Sequence, residues 1–184
     1  NWDEAFTLYG LLAERVEVAD DRSWIIFHLN AAARFSDGTP VTVEDVMFSI
    51  QVLSEKGRPP YFNSMKSIAA MEPVGERGVK FTFADADREA PLIVALRPIL
   101  KKAEWEGRVF GDTTLTPIIG SGAYVVDEFE AGRSITLRRN PDYWGKDLPI
   151  NAGVDNFDTL RIEYFRDGAA LWEAFKGGEV SVFR

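Results

Sequence analysis

The chain of 184 residues is 46% hydrophobic and 27% charged, the balance of a folded chain and not of a disordered one. Its formal net charge of -8 repels duplex nucleic acid, and the short basic pairs Lys101-Lys102 and Arg138-Arg139 make no binding stripe, so no nucleic-acid partner is expected. The absence of cysteine excludes thiol nucleophiles, thiolate metal sites and disulfides, the single His28 excludes a multi-histidine metal centre, and no apolar run nears the ~18 residues of a membrane span.

Residues 12–18 are rich in valine and read as a strand, with Asp20-Asp21 as the turn behind it. Trp24–Leu29 follows as a second strand. Trp24, Ile26 and His28 share one face and Ile25, Phe27 and Leu29 the other, so a strand covered on both sides is expected, with His28 as a hydrogen-bonded core residue. Ser36-Asp37-Gly38-Thr39 is turn chemistry, and Pro40 stops any continuing strand. Thr42 is the N-cap of a helix starting at Val43, with Asp45 at the third helical position of a capping box. Val43, Val46, Met47, Ile50 and Leu53 recur at helical spacing as its buried stripe, and Gly57 with Pro59-Pro60 ends it. Glu44-Asp45 has the composition of a catalytic dyad, but the positive end of a helix accounts for both carboxylates without catalysis.

Tyr61-Phe62 reads either as a plug that seats the loop or as the aromatic wall of a cleft. Residues 68–74 and the alternating Val79, Phe81 and Phe83 make an antiparallel pair across Gly75–Gly78. The stretch Asp85-Ala86-Asp87-Arg88-Glu89 lacks the glycine and closing glutamate of a calcium loop. Asp87 is expected instead to cap a short helix with Leu92 and Leu96 on its inner face.

Residues 118–122 mark the expected boundary between two lobes, 1–117 and 118–184. Gly120-Ser121-Gly122 is no phosphate loop, since the lysine is missing and no helical pattern follows. Tyr124–Glu130 and Ser134–Arg139 form a hairpin around Gly132. Tyr143-Trp144 suits either burial beneath that hairpin or stacking on a sugar, for which Trp105 is a further candidate. In the tail, Leu160, Ile162 and Tyr164 alternate as a strand, Asp167 caps a helix carrying Leu171, Ala174 and Phe175, and residues 180–183 return as a parallel strand. The chain opens without an initiator Met or a signal peptide and stops inside a strand-like stretch, so a piece of a longer polypeptide is expected.

Three groups of residues together resemble one family. Trp24–Leu29, Phe35-Ser36-Asp37-Gly38-Thr39-Pro40 and residues 42–49 resemble the entry signature of the family 5 extracellular solute-binding proteins, the oligopeptide, dipeptide and nickel receptors of bacterial ABC importers. Ile119-Gly120-Ser121-Gly122-Ala123-Tyr124, Gly132 and Leu137-Arg138-Arg139-Asn140-Pro141-Asp142-Tyr143-Trp144-Gly145 resemble the second signature, with Ala123 where a proline is frequent. Gly178-Glu179-Val180 resembles the third, with Ser181 in place of an aspartate. The openings Leu8-Tyr9-Gly10-Leu11-Leu12-Ala13-Glu14 and Asp21-Arg22-Ser23-Trp24 resemble the branch that imports oligopeptides and microcin C.

The resemblance implies a mixed α/β fold of the periplasmic-binding-protein type II, present in part: a small mixed-sheet lobe plus part of the first ligand-binding lobe. It implies binding without bond breaking, by closure of two lobes on a peptide. It implies no cofactor. It further implies a permease partner in the inner membrane and a location in the periplasm, or outside a Gram-positive cell on a lipid anchor. Tyr61 or Phe62 matches an aromatic ligand contact of relatives, and Phe183 and Arg184 lie near another. An oligosaccharide or nickel receptor of the same fold and a two-carboxylate hydrolase are the alternatives. Exposed strand edges are expected to favour self-association.

Overall fold

The computed structural model describes residues 7–85, 87, 89–112 and 115–182, the side chain of Ser64 excepted. The chain divides into two compact units, one of residues 7–123 and 140–155 and the other of residues 124–139 and 156–182.

The first unit is built on four antiparallel strands in the order β1-β2-β4-β3: β1 (Ala13–Val18), β2 (Trp24–Leu29), β3 (Ile68–Val74) and β4 (Gly78–Phe83). Because side chains alternate along a strand, the register that sets Ile25 opposite Phe81 and Phe27 opposite Val79 gathers these residues on one face. There α1 (Val43–Lys56) contributes Val46 and Ile50, and α3 (Ala90–Ala95) contributes Ala90 and Val94; all four are buried in one core with Ile25, Leu29, Val79, Phe81 and Phe83. Phe27 meets Phe81 edge-on, ring centroids 5.8 Å apart, a geometry that suits the ring quadrupoles.

The other face of β2 is only half-buried, so the strand is not covered on both sides as its sequence suggests. Charged neighbours on β1 and β4 share that face. His28 Nε2 donates to Glu17 Oε1 at 2.7 Å, with an Arg15 guanidinium nitrogen 3.0 Å away. It is hydrogen-bonded, but at a partly exposed surface and not in the core.

Four further expectations are corrected. Pro59-Pro60 does not merely stop α1; it opens a second helix, α2 (Pro59–Ser64), because proline is tolerated in a first turn where its missing N–H costs nothing. Asp87 is not the N-cap of α3. Glu89 holds that position, and Asp87 Oδ1 accepts the Glu89 N–H at 2.8 Å one step earlier. The side of α3 facing the core carries the small Ala90 and Val94, while Leu92 and Leu96 are 50% and 64% exposed. Tyr143-Trp144 belongs to the first unit and not to that of the hairpin, and Trp144 packs against a second core cluster of Ala33, Phe35 and Val41.

The second unit is a three-stranded antiparallel sheet in the order β5-β6-β7, from β5 (Tyr124–Glu130), β6 (Ser134–Arg139) and β7 (Thr159–Glu163), followed by α4 (Gly168–Lys176). The hairpin turns at Gly132, whose φ of 75° suits a residue without a Cβ. Asp167 caps α4 by accepting the Ala170 N–H at 2.9 Å. Residues 180–182 form no strand, and the remainder of the parallel return strand expected there lies outside the described residues.

Candidate ligand-binding groove

The signature residues around Asp37 and Asp45 form a scaffold and not a reactive centre. In the turn, the Thr39 N–H and hydroxyl both donate to Asp37 Oδ1, at 3.1 and 2.7 Å, while Asp37 Oδ2 pairs with the Lys101 ammonium. That cation holds the Asp37 carboxyl well below its ordinary value, at about 2. At the start of α1 the capping box is complete: Thr42 Oγ1 accepts the Asp45 N–H, and Asp45 Oδ2 accepts the Thr42 N–H at 2.9 Å.

The second Asp45 oxygen accepts the Lys102 N–H at 2.8 Å, and Ser49 Oγ accepts the Leu100 N–H at 2.7 Å while donating to the Asp45 carbonyl at 2.6 Å. Both side chains are buried. Asp45 thus gives one oxygen to the helix cap and the other to the segment after α3, a structural role that accounts for it without a catalytic dyad with Glu44. No sequence pattern showed this link, because its partners lie 51 and 57 residues apart.

The segment so fastened forms one wall of an apolar groove of about 670 Å³ within the first unit. Its floor is the inner face of β2 and Phe81, α1 contributes Val46 and Ile50, and the stretch from Leu8 to Val16 makes the opposite wall. Leu92, Leu96 and Arg97 line it from the α3 side, which explains why two leucines are left without core partners.

Tyr61 also lines this groove, whereas Phe62 does not. The two are adjacent on α2 and point differently: Tyr61 is half-buried and Phe62 is 41% exposed. The Arg97 guanidinium lies 5.3 Å from the centre of the Tyr61 ring, and its Nε donates to the Ile93 carbonyl at 2.7 Å. The Lys66 ammonium lies 4.8 Å from the centre of the Phe62 ring. Phe183 and Arg184, the other two residues singled out by resemblance, lie outside the described residues. Sequence reading overlooked Arg97, although it is the one charge between Ala90 and Leu100, and a lone cation in an apolar stretch is a signal worth pursuing.

The rings considered for sugar stacking are placed differently. Tyr143 is buried, and burial pushes its phenol pKa up. A Cβ on Gly145 would fall 2.7 Å from the Tyr143 hydroxyl, so glycine is required beside it. The Trp144 indole donates to the Ser121 carbonyl at 3.1 Å, joining the two halves of the second signature. Trp105 is half-buried against Phe110, with ring centroids 4.8 Å apart. Among the described residues no cluster of three potential metal ligands occurs, and no helix is long and apolar enough to cross a membrane.

Residues 7–184 match the family described as bacterial extracellular solute-binding proteins, family 5 Middle, and the chain belongs to that family. Its members bind solutes and are not enzymes. The chain is 50% identical to the Brucella melitensis protein BMEII0691 over 183 residues, 98% of this chain and 30% of that one. It is 48% identical, with the same coverage, to the peptidoglycan-binding protein YepA of Agrobacterium fabrum. Among solved structures, the protein AgaA of A. tumefaciens R10, in complex with agropinic acid, is similar with a TM-score of 0.75 and 29% identity over 92% of this chain and 33% of that one. The architecture is therefore of the periplasmic-binding-protein type, and the chain spans about 30% of the length of the curated relatives it matches.

Proposed function

We propose that this chain is part of the substrate-binding component of an ABC importer, and that the complete receptor captures oligopeptides by lobe closure. The observation that carries the reading is the apolar groove walled by Tyr61 in a chain of this family. Groove and ring together supply what a peptide receptor needs, apolar surface for side chains and an aromatic wall for orientation. The name of the relative YepA supports the same class, since peptidoglycan carries short peptides on its glycan strands.

In this proposal residues 1–117 are the small lobe and residues 118–184 belong to the first ligand-binding lobe. Tyr61 or Phe62 contacts the ligand from the small lobe, and Phe183 and Arg184 lie near a second contact. The partners are the peptide and a permease in the inner membrane. The receptor works in the periplasm, or outside a Gram-positive cell on a lipid anchor.

Calorimetry tests this on two polypeptides, the 184-residue chain and one of the relatives' length. The longer one is expected to bind a mixed peptide pool at micromolar or better affinity, and to show no heat with oligosaccharides or nickel. The shorter one is expected to bind feebly, because a one-sided cleft leaves its ligand in water. Micromolar affinity from the 184-residue chain alone would contradict the two-lobe mechanism. The shorter chain is also proposed to self-associate through the exposed leucines of its groove and its unpaired strand edges. A monomeric mass in light scattering at high concentration would refute that.

A further inference from the structure

Three consecutive residues, Leu100, Lys101 and Lys102, are each fastened to the stretch 37–49. The Leu100 N–H donates to Ser49 Oγ at 2.7 Å, the Lys101 ammonium pairs with Asp37, and the Lys102 N–H donates to Asp45 Oδ1 at 2.8 Å. Residues 97–101 belong to no helix or strand, so no backbone ladder holds them, and the Leu100 and Lys102 N–H groups turn to side chains of α1 instead. These anchors follow the groove wall without a gap in the chain. Leu96, Arg97, Pro98 and Ile99 line the groove, and Ile99 packs against both core clusters.

Ser49 is fully buried on α1, where alanine would suit the helix better. A serine hydroxyl bonded to the carbonyl four residues back, here that of Asp45 at 2.6 Å, slightly weakens a helix. The use of Ser49 Oγ therefore lies outside α1, in accepting the Leu100 N–H. A wall held in this way is ordered before the ligand arrives, so binding need not supply the cost of ordering it.

We infer that Ser49 is a positioning residue for ligand capture, with Asp45 and Asp37 beside it. It touches no ligand, and it sets affinity by holding the wall of Leu96 to Ile99 in the shape that the ligand meets. The inference rests on the groove being the ligand site proposed above, and it assigns the first signature a part in binding.

The test uses the polypeptide of the relatives' length, the mixed peptide pool and calorimetry, at a temperature where circular dichroism shows every variant folded. Ser49→Ala is expected to weaken binding about tenfold, because the ligand must now order the wall. Leu53→Ala is the matched control: Leu53 is buried on the same helix but does not line the groove, so this variant loses stability and keeps wild-type affinity. Asp45→Asn leaves a single carbonyl oxygen for the Thr42 and Lys102 N–H groups, and is expected to weaken binding in part. Combined with Ser49→Ala it costs less than the product of the two factors, since both act on one segment. Hydrogen exchange gives a reading without ligand: in Ser49→Ala the Leu100 and Lys102 amides are expected to exchange about tenfold faster while the interior of α1 is unchanged. Wild-type affinity in Ser49→Ala, an equal loss of affinity in Leu53→Ala, or unaltered exchange at Leu100 would overturn the positioning role and leave peptide capture standing. Failure of the folded wild type to bind any peptide would overturn both.

Discussion

Asp37 and Asp45 lie eight positions apart and divide the labour of one scaffold. Asp37 closes its own turn and pairs with Lys101; Asp45 caps α1 and binds the Lys102 N–H. The local half of each role was legible, because turn and cap chemistry act over three or four residues. The distant half was not, since nothing in a sequence marks Lys101 as the neighbour of Asp37. The Asp37 pair has a pH signature. Its carboxyl is depressed from 3.8 to about 2 in the folded chain, so its contribution is complete above the unfolded value and is lost as the pH falls towards about 2. Because the side chains remain partly exposed, the contribution is on the order of 1 kcal/mol. Urea unfolding of the wild type and Asp37→Asn is expected to differ by that amount near neutral pH and to converge at about pH 2. A gap that stayed constant down the pH range would show that the ion pair is not the cause.

At the scale of elements, α1 and α3 show where periodicity suffices and where it fails. The stripe of α1 runs over 14 residues, long enough for its period to select the buried face, and Val46, Ile50 and Leu53 are buried as its spacing requires. α3 has only six residues, and its small residues, not its leucines, meet the sheet. Large side chains there serve the groove, which no short window of sequence can reveal. Ile50→Ala is therefore expected to cost about 2–5 kcal/mol by denaturant unfolding, as for other fully packed core residues. Leu92→Ala, at a half-exposed wall, is expected to cost under about 1 kcal/mol. Equal losses would mean that Leu92 is core after all. The same logic separates Tyr61 from Phe62. The sequence shows two adjacent aromatics, and only the fold of α2 directs Tyr61 into the groove and Phe62 away from it.

At the scale of the whole molecule, the architecture was legible because three signatures occur in the right order, and the first two prove to be sets of packed and hydrogen-bonded residues. The second of them returns the chain to the first unit: Asn140 N–H donates to the Ala123 carbonyl, and Trp144 donates to Ser121. The hairpin of residues 124–139 is thereby held at its base, a closure invisible to pattern reading because it joins stretches that flank a separate sheet. The scaffold is shared by receptors of many solutes, so the groove's own side chains carry the proposal of a peptide. The most direct measurement is native mass spectrometry of the polypeptide of the relatives' length, purified without added ligand and then denatured to release its cargo. The expected result is a set of short peptides. A homogeneous sugar, a nickel complex or another non-peptide solute would contradict peptide capture.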